Sequence, residues 1–508
     1  MSTLALAGGG LSGALLVLAV TLPLVGLVPL FLCERRIGER SALALLGINV
    51  AIAVAIVIRV AEGGRALASF IGGWAPPLGV GLRADGFSAA MIGMAALVLF
   101  LTGIFAMTAR DDVQPMPRAL LLLLCLAAAL NLAFLAQDLF TLYVALELLT
   151  FAAVPLVCLD GKKGQVSAAL TYLLYALFGS VLYLLGAVLI YGLFGTLDMA
   201  LVAARAAKAP GGAAFPAALA LMSAGLMAKA ALFPLHLWLP PAHSGAPPAA
   251  SAVLSAVVIK APLFLLVRLW ADVAPPPLVD AAAPVLAACG AGAILFCGVL
   301  ALAQERLKLL IAYSTAAQIG YLALMFPLAA AGADSQWGAL AWTGGTLHLV
   351  SHAFSKAAMF LAAGLMAETM GHDRISGLGG AARLAPVSLA AFGLGGLSLM
   401  GLPPSGGFIA KVMLLTSAVQ QGAWWIGLVI LLGGLLAGGY VLKVVVIALR
   451  RPDEALPERR ECRWRAGVAL ALALGAVLLG LLPLSPLGFL AVGRPLSWEG
   501  LSLAGVAP

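Results

Sequence analysis

Long apolar stretches follow one another along almost the whole chain, and they limit its possible folds more than any other feature. An α-helix needs about 20 mainly apolar residues to cross a bilayer. Stretches of about this length occur at 12–32, 42–60, 88–108, 118–136, 137–158, 168–194, 215–240, 248–271, 281–302, 308–328, 338–366, 385–418, 424–449 and 466–490. Of the 508 residues, 63% are hydrophobic and only 10% are charged, which excludes an ordinary soluble enzyme and a disordered chain. The sequence therefore predicts an all-α polytopic membrane protein with about 14 transmembrane helices.

Two of these stretches contain prolines that interrupt the helical pattern. The seventh contains Pro234, and the twelfth contains Pro403 and Pro404. Because proline removes a backbone donor and clashes with the preceding turn, we expect helices 7 and 12 to be broken at these positions. The breaks lie five spans apart, so helices 4–8 and 9–13 are predicted to form two inverted five-helix repeats, an arrangement found in many transporters.

The repeat hypothesis divides the chain into four segments. We predict N-terminal helices 1–3 in residues 1–117 and a first antiporter-like repeat, helices 4–8, in residues 118–272. The second, inverted repeat, helices 9–13, would occupy residues 273–450, and the C-terminal helix 14 would lie in residues 451–508.

Basic residues indicate how the chain is oriented in the membrane. They concentrate in the first, ninth and thirteenth loops, at Arg35, Arg36, Arg40, Arg306, Lys308, Arg450, Arg451, Arg459, Arg460, Arg463 and Arg465. Loops rich in Lys and Arg stay in the cytoplasm, and odd-numbered loops share one side of the membrane. The sequence therefore predicts a multi-pass protein of the cell inner (plasma) membrane with both termini on the outer (periplasmic) side, although Arg205 and Lys208 after the sixth span oppose this orientation.

Ionisable residues inside the apolar stretches are candidate functional residues. Glu147 lies deep in the fifth span, and lysines lie within later spans at Lys229, Lys260, Lys356, Lys411 and Lys443. Each charge at a helix centre costs about 2.5–3.5 kcal/mol on insertion scales, so chance does not explain so many of them. Lys443 is the exception, because it lies near the end of its span, where its long side chain can reach the headgroups.

Glu147 and Lys229 are predicted to form a pair. Lys229 lies about one turn before Pro234, where a broken helix would admit water. Attraction to the carboxylate favours the lysine ammonium, whereas desolvation favours the neutral amine. A lysine balanced between these effects can load and release a proton, and we favour this function over an ion pair that only fixes helix packing.

Three more protonatable residues, His348, His352 and Lys356, follow at intervals of four. This spacing places them on one helical face about 12 Å long. We interpret these three residues, together with Lys260 of the eighth span, as a polar track for protons rather than as packing residues alone. His236 and His243 flank the break of helix 7, where either could gate proton access or merely line an interface.

No cofactor or metal site is expected in this chain. Zinc requires three or four converging ligands, whereas here lysines alternate with the histidines. The six cysteines form no CxxC pair and lie mostly within apolar stretches, so we interpret them as small buried hydrophobes. Iron–sulfur clusters would need cysteine clusters, and nucleotide binding would need glycine-rich motifs after a strand.

Several segments carry a family resemblance over nearly the whole chain. In order, they are GGWAPPLGVGLRADGFS, QDLFTLYVALELLTF, LIYGLFGTLDMA, MAKAALFPLHLWLPPAH, ERLKLLIAYSTAAQIGY, HAFSKAAMFLAAG and GLPPSGGFIAKVMLL. In these segments the chain resembles the antiporter-like membrane subunits shared by respiratory complex I (NADH:quinone oxidoreductase) and the multi-subunit Mrp Na⁺/H⁺ antiporters. Related subunits occur in membrane-bound hydrogenases.

The resemblance implies fourteen helices, two inverted repeats and a horizontal row of charged residues at mid-membrane. By this resemblance the row consists of Glu147, Lys229, Lys260, His348, His352, Lys356 and Lys411. A lysine at the helix-12 position suits the complex I end subunits and the D-type member of the Mrp antiporters. One stretch departs from the family, because Arg306 and Leu309 replace an acidic residue and an arginine around the retained Lys308.

The main hypothesis is a proton-translocating subunit of a complex I-like NADH:quinone oxidoreductase. Flavin, iron–sulfur clusters and quinone are then expected only in partner subunits, so any NADH:quinone activity belongs to the complex. The alternative is a D-type subunit of a Mrp Na⁺/H⁺ antiporter without redox coupling, and a third hypothesis is a scaffold whose buried charges only lock helices together. Expected partners are other membrane subunits, H⁺ or Na⁺ and the lipid bilayer, but not nucleic acid.

Overall fold

Helices make up most of the computed structural model, which describes residues 10–108, 116–208, 211–331, 335–452, 457–483 and 485–494. The two termini, for which an outer location is predicted, lie outside the described residues. In lipid, a helix is favoured because it satisfies all its backbone polar groups within one segment.

The helices of the N-terminal half are α1 (Leu11–Val25), α2 (Leu27–Leu32), α3 (Arg35–Gly63), α4 (Gly86–Met107), α5 (Met116–Leu135), α6 (Leu139–Val157), α7 (Lys163–Phe194), α8 (Met199–Lys208), α9 (Ala214–Lys229), α10 (Leu239–Gly245), α11 (Pro248–Val253) and α12 (Lys260–Arg268). Two strands, β1 (Leu67–Phe70) and β2 (Gly81–Ala84), precede α4. Two π-helical stretches, Leu254–Val258 and Leu269–Val273, flank α12.

The helices of the C-terminal half are α13 (Pro276–Gly292), α14 (Gly298–Ala303), α15 (Leu307–Ala331), α16 (Gln336–Met370), α17 (Ala381–Leu384), α18 (Pro386–Met400), α19 (Gly406–Gln420), α20 (Trp424–Leu449) and α21 (Arg463–Leu478). A π-helical stretch, Ala293–Cys297, joins α13 to α14. Short 3₁₀ turns occur at Ile71–Gly73, Ser376–Leu378 and Ser485–Ala491.

Eleven helices among the described residues are long and apolar enough to cross a membrane. The other predicted spans, the seventh, twelfth and fourteenth, correspond to shorter helices, namely α9, the α18–α19 pair and α21. The prediction of a polytopic helical membrane protein is confirmed, while the count of fourteen spans stays a prediction.

The helices that carry the candidate residues lie at the centre of the bundle. The apolar window of Pro248–Val273 is completely buried, and that of Gln336–Met370 is 94% buried. By contrast, only 33% of the corresponding window in the peripheral helix Trp424–Leu449 is buried. Lysines and histidines on the central helices are therefore kept away from lipid by their own neighbours.

Both predicted helix breaks are present. The first helix ends at Lys229, and the chain then runs without regular helix to Leu239, where α10 begins with two prolines in its first turn. Proline is tolerated there because the first backbone donors of a helix have no intrahelical acceptor. The second break separates Met400 from Gly406: Gly401 ends α18 in a left-handed conformation (φ +80°), and the Ser405 side chain accepts a hydrogen bond from the first turn of α19.

The two halves repeat the same order of helix packing. In the first, α5 packs on α6, α6 on α7 and α7 on α9; in the second, α13 packs on α15, α15 on α16 and α16 on α18. Corresponding helices are five predicted spans apart, an odd number, so the second group is predicted to run in the opposite direction across the membrane. The boundaries of the four predicted segments stay predictions.

A short β-hairpin departs from the all-helical prediction. Strands β1 and β2 pair antiparallel, with Leu67 opposite Ala84 and Phe70 opposite Gly81. The hairpin leads directly into α4, whose first turn is capped by Asp85 through a 3.0 Å hydrogen bond from the Ser88 amide.

Candidate functional site in the membrane interior

The structure brings Glu147 and Lys229 together. Lys229 Nζ, at the end of α9, lies 3.0 Å from Glu147 Oε1 on α6 and donates a second hydrogen bond to Thr150 Oγ1 at 3.2 Å. Ser180 on α7 donates a hydrogen bond to the same Glu147 oxygen. The side chain of Lys229 is only 5% exposed and that of Glu147 15%. The pair is therefore largely shielded from water, and the protonation state of each residue depends strongly on the charge of the other.

A close helix crossing places Lys229 beside α7. A Cβ atom added at Gly225 would lie 2.3 Å from the carbonyl oxygen of Gly179, and one added at Gly179 would lie 3.0 Å from Cγ of Lys229. Glycine at both positions therefore lets α7 and α9 approach until the lysine stem lies along α7. The crossing directs the amine towards Glu147 on the neighbouring helix α6.

Lys260 lies at the first position of α12, two residues after the end of the first π-helical stretch at Val258. Its side chain is buried, and Nζ donates to the carbonyl of Ser255 at 3.1 Å. π-Helical turns disturb the regular hydrogen-bond ladder and are frequent at functional sites. No carboxylate lies within ion-pair distance of Lys260 among the described residues, so a backbone carbonyl supplies its polar contact.

His348 and His352 stack on one face of α16, with ring centroids 6.1 Å apart. His348 Nε2 donates to the carbonyl of Gln318 on α15 at 3.3 Å. His348 Nδ1 and His352 Nε2 are buried and find no hydrogen-bond partner within the described part of the chain. Because buried polar atoms are normally paired, these nitrogens are positions where water would bind.

Lys356 and Lys411 also use groups of the protein backbone. Lys356 Nζ donates to the carbonyl of Ile311 at 3.1 Å and to the Ser314 hydroxyl. Lys411 Nζ donates to the carbonyl of Leu399 at 2.6 Å and lies 4.4 Å from the centre of the Tyr321 ring. The last four carbonyls of a helix lack intrahelical donors, and Leu399 is among those of α18. The break of helix 12 therefore creates the acceptor that its own lysine uses.

Tyr321 connects Lys411 to the histidines of α16. The centre of its ring lies 4.4 Å from Lys411 Nζ and 5.0 Å from the centre of the His348 ring, which in turn stacks on His352. Within the described residues, however, no hydrogen bond or ion pair joins the Glu147–Lys229 pair to Lys260. A lateral Glu147–Lys229–Lys260–Lys411 series would need bridging water at that point, which is a routine element of polar networks.

The two predicted gating histidines lie in different surroundings. His236 packs against Phe233 and Phe296, with ring centroids 5.6 and 6.1 Å away. His243 is completely buried, stacks on Phe360 at 4.5 Å, and neither of its ring nitrogens has a hydrogen-bond partner among the described residues. Both ring nitrogens of His236 are likewise buried without a hydrogen-bond partner within the described part of the chain, so the two histidines differ in their neighbours and not in the pairing of their polar atoms.

A cavity of about 400 Å³ opens near His243. Its lining includes Ala246 and Lys308, whose amine donates to the Ala246 carbonyl at 2.9 Å. The charged and polar residues around it are Asp160, Lys162, Glu368, His372, Asp373 and Arg465. These residues lie in or next to the predicted odd-numbered loops. The cavity therefore faces the side of the membrane on which most of the basic residues are predicted to lie.

Lys443 departs from the sequence-based interpretation. Lys443 donates to the carbonyls of Leu302 and Gln304, both at 2.9 Å, so it caps the end of α14 instead of reaching for lipid headgroups. Arg306, which differs from the family pattern, forms an ion pair with Asp373 at 3.1 Å.

A buried ionic cluster was not anticipated from the sequence. Arg268 Nη2 lies 2.5 Å from Asp85 Oδ1, and its Nη1 lies 3.3 Å from Asp272 Oδ2. Arg268 also donates to Ser88 Oγ at 3.0 Å, and Arg83 approaches Asp85 to 3.8 Å. The sequence contained part of the signal, because Arg268 and Asp272 have the i,i+4 spacing of a helical ion pair. Asp85 comes from the start of α4 and could not be paired with Arg268 by spacing.

Comparisons with known proteins agree with this architecture. The model of a family described as "NADH:quinone oxidoreductase/Mrp antiporter, TM" matches residues 136–437. NADH-quinone oxidoreductase subunit N of Desulforudis audaxviator is 33% identical over 443 residues, which cover 83% of this chain and 85% of that protein. The D-type subunit of a Na⁺/H⁺ antiporter of Alkalihalophilus pseudofirmus is 28% identical over 381 residues, 74% of this chain and 75% of the relative.

A solved structure shows the same similarity in three dimensions. A chain of the Mrp complex from Dietzia sp. DQ12-45-1b superposes with a TM-score of 0.87 at 26% identity. The superposition covers 96% of this chain and 98% of the other.

Proposed function

The chain belongs to the membrane-subunit family of NADH:quinone oxidoreductases and Mrp antiporters, and from this premise we propose that it translocates protons within a complex I-like NADH:quinone oxidoreductase. The observation that carries the proposal is the Glu147–Lys229 contact of 3.0 Å, buried beside a helix break. Ionisable residues inside a membrane mark ion pathways because their burial is costly.

The proposed mechanism uses competition between attraction and desolvation. When Glu147 is charged and close, Lys229 is held as an ammonium ion; when the carboxylate moves away or is neutralised, burial favours loss of the proton. Lys260, His352, Lys356 and Lys411 then respond to neighbouring charge, since several cations cannot all be buried at low cost. Each half of the chain would supply half a channel, and water would bridge the gap between Lys229 and Lys260.

We propose that odd-numbered loops face the cytoplasm of a cell whose inner (plasma) membrane holds the protein, with both termini outside. The basic loops support this orientation. The 400 Å³ cavity then opens to the cytoplasm, and His243, which lies two residues before the lining residue Gly245, is the proposed gate for proton uptake. His236 packs instead against Phe233 and Phe296, away from the cavity lining, and is proposed to line the protein interior.

The proposed assembly couples this chain to redox chemistry in other subunits. The 33% sequence identity with an NADH-quinone oxidoreductase subunit N, over most of both chains, supports this coupling to redox chemistry. Flavin, iron–sulfur clusters and quinone would be held by those partners, and the electron transfer would change the charge at one end of the lysine row. This chain itself would supply protonatable residues and no redox centre.

A D-type subunit of a Na⁺/H⁺ antiporter is the second candidate. It is favoured by the TM-score of 0.87 with a chain of the Mrp complex. In that assembly an existing ion gradient, and not electron transfer, would drive proton movement through the same residues.

Purification of the native complex through an affinity tag on this chain separates the two candidates. We expect co-purifying flavin and iron–sulfur subunits, and acidification of the interior of inside-out vesicles on addition of NADH and quinone. Co-purification of only small antiporter subunits, with Na⁺-driven proton exchange and no response to NADH, would overturn the redox proposal in favour of the second candidate.

The scaffold hypothesis requires a separate test. Lys229→Ala should abolish proton translocation while the complex still assembles, because the amine that carries the proton is removed. Normal translocation by a normally assembled Lys229→Ala complex would show that the buried charges serve packing alone.

A further inference from the structure

The ionic cluster around Arg268 lies at one end of the central helix α12. Arg268 is eight residues, or about 12 Å of helix, beyond Lys260. Its guanidinium contacts two carboxylates, Asp85 at 2.5 Å and Asp272 at 3.3 Å, and lies 4.9 Å from the centre of the Phe264 ring. The contacted groups come from the start of α4 and the π-helical stretch after α12, so the cluster lies on the side of the even-numbered loops.

The two carboxylates differ in their access to solvent. Asp85 is 1% exposed and is covered by the segment after α21: the Gly86 amide donates to the Val492 carbonyl at 3.0 Å, and a Cβ atom at Gly493 would lie 2.4 Å from Cβ of Asp85. Asp272 keeps 16% of its side chain exposed. The cluster therefore has a sealed carboxylate on the inside and a partly open one at the surface.

Unpaired polar atoms lie between this cluster and the histidines. On α16, Trp342 Nε1 and Thr346 Oγ1 are buried without a hydrogen-bond partner among the described residues, as is Nδ1 of His348. Asp85 Oδ2 also accepts no hydrogen bond within that part of the chain. Trp342 is connected to the cluster through Phe87, whose ring centroid is 5.4 Å from that of Trp342 and 5.5 Å from the Arg268 guanidinium.

These atoms indicate a place for water. Trp342 is 4% exposed and Thr346 1%, so bulk solvent cannot satisfy them directly. Buried polar groups that lack protein partners are normally satisfied by ordered water. From His348 to Trp342 the distance along α16 is about 9 Å, which a few water molecules in line can cover.

We propose that the Arg268 cluster is the site at which protons leave the lysines and histidines of the central helices towards the even-numbered loops, with Asp272 as the release residue. This inference rests on the proposed function and adds a route to it. A proton lost from His348 passes along water beside Thr346 and Trp342 to the cluster, where the carboxylate of Asp272 becomes a carboxylic acid. The same proton then leaves Asp272 for water outside, and the carboxylate is restored. Arg268 keeps Asp272 in position and favours its carboxylate form, so Asp272 gives up the proton to water outside readily.

The test compares Asp272→Asn with Asp280→Asn in the complete complex reconstituted in vesicles. Asp280 is an exposed acid at the start of α13, on the same side of the membrane, and serves as the matched control. We expect Asp272→Asn to lower proton translocation at least tenfold, Asp272→Glu to restore most of it, and Asp280→Asn to behave as wild type. Wild-type translocation by Asp272→Asn would overturn the inference.

A second measurement does not depend on activity. Thr346→Cys should react with methyl methanethiosulfonate, a small uncharged reagent that modifies only thiolates, because a thiolate forms where water reaches the side chain. Leu349→Cys, a buried position on the same helix, should not react. Mass spectrometry locates the label, so the native cysteines need not be removed. No label on Thr346→Cys would show that water does not reach this region and would overturn the inference, even if Asp272→Asn fails to assemble.

The two proposals fail in different ways. Loss of translocation in Lys229→Ala together with full translocation in Asp272→Asn would leave the proposed function intact and remove only the release route. Full translocation in Lys229→Ala would remove the proposed function itself.

Discussion

Replacement of Glu147 by Gln removes the negative charge next to Lys229 while changing the shape of the side chain very little. At the observed 3.0 Å separation, and with an effective dielectric constant of about 20, the attraction between the two charges is about 5.5 kcal/mol. This constant is appropriate because Glu147 retains 15% side-chain exposure. The hydrogen bond from Lys229 to Thr150 is left in place, so the substitution isolates the charge.

The expected effect on transport follows from that energy. Even if water and local rearrangement recover three quarters of it, about 1.4 kcal/mol remains, which corresponds to a tenfold change in rate. We therefore expect Glu147→Gln to lower the initial rate of proton translocation at least tenfold. The rate is measured with a pH-sensitive dye in vesicles and normalised to the amount of assembled complex.

Glu62→Gln is the matched control, because Glu62 is an exposed glutamate near the end of α3. It should translocate protons at the wild-type rate. A wild-type rate for Glu147→Gln in a normally assembled complex would refute the reasoning, since the charge of Glu147 would then contribute nothing to transport.

Three further predictions address packing and loops. Gly225→Ala should reduce translocation strongly, because the new Cβ would lie 2.3 Å from the Gly179 carbonyl oxygen and force α9 away from α7. Gly192→Ala is the control: its Cβ would have no neighbour within 4 Å, so the same vesicle assay should show no effect. Lys443→Met should lower the thermal unfolding temperature of the purified complex, since hydrogen bonds from a charged donor contribute about 1.5–3 kcal/mol, yet leave translocation per assembled complex unchanged. Burial raises the pKa of Asp198, so the contribution of Asp198 to the free energy of unfolding is most favourable at acidic pH and is lost as pH rises through the folded-state pKa. Asp198→Asn should therefore flatten the fall in unfolding temperature between acidic and neutral pH. An unchanged pH profile would contradict this.

The structure also explains how several lysines are tolerated in an apolar interior. Lys260 and Lys411 bind carbonyls at irregular places in helices, a π-helical stretch and the end of α18 respectively. The carbonyl of Leu399 lies in the last turn of α18, where it has no intrahelical donor and would be costly if left unpaired. The helix end and the buried amine of Lys411 therefore stabilise each other.

Much of the candidate site could be predicted from residue type and position alone. Glu147 and Lys229 stood out because a charge in a long apolar stretch is rare, and Pro234 and Pro403 marked the breaks because proline cannot continue a regular helix. These are local properties, so no knowledge of neighbouring helices was needed.

The Arg268 cluster could be predicted only in part. Asp272 lies four residues after Arg268, a spacing typical of a helical ion pair. Asp85 is remote from Arg268 in the chain and follows a β-hairpin that gives a weak sequence signal. Lys443 was placed correctly near the end of its span, but its contacts with α14 depend on how α20 packs. Hydrogen bonds are effective only within a few tenths of an ångström of their best distance, which no pattern of spacing specifies.

The sequence by itself determined that this is a helical membrane protein with broken helices and buried protonatable residues, because apolar length and the cost of a buried charge are properties of each segment. Tertiary structure alone decided which groups meet. The approach of Gly179 and Gly225 sets the position of Lys229, and the packing of α4 against α12 sets that of Arg268. These choices arise from helix crossings, and a crossing depends on the shapes of two surfaces that are remote in the chain.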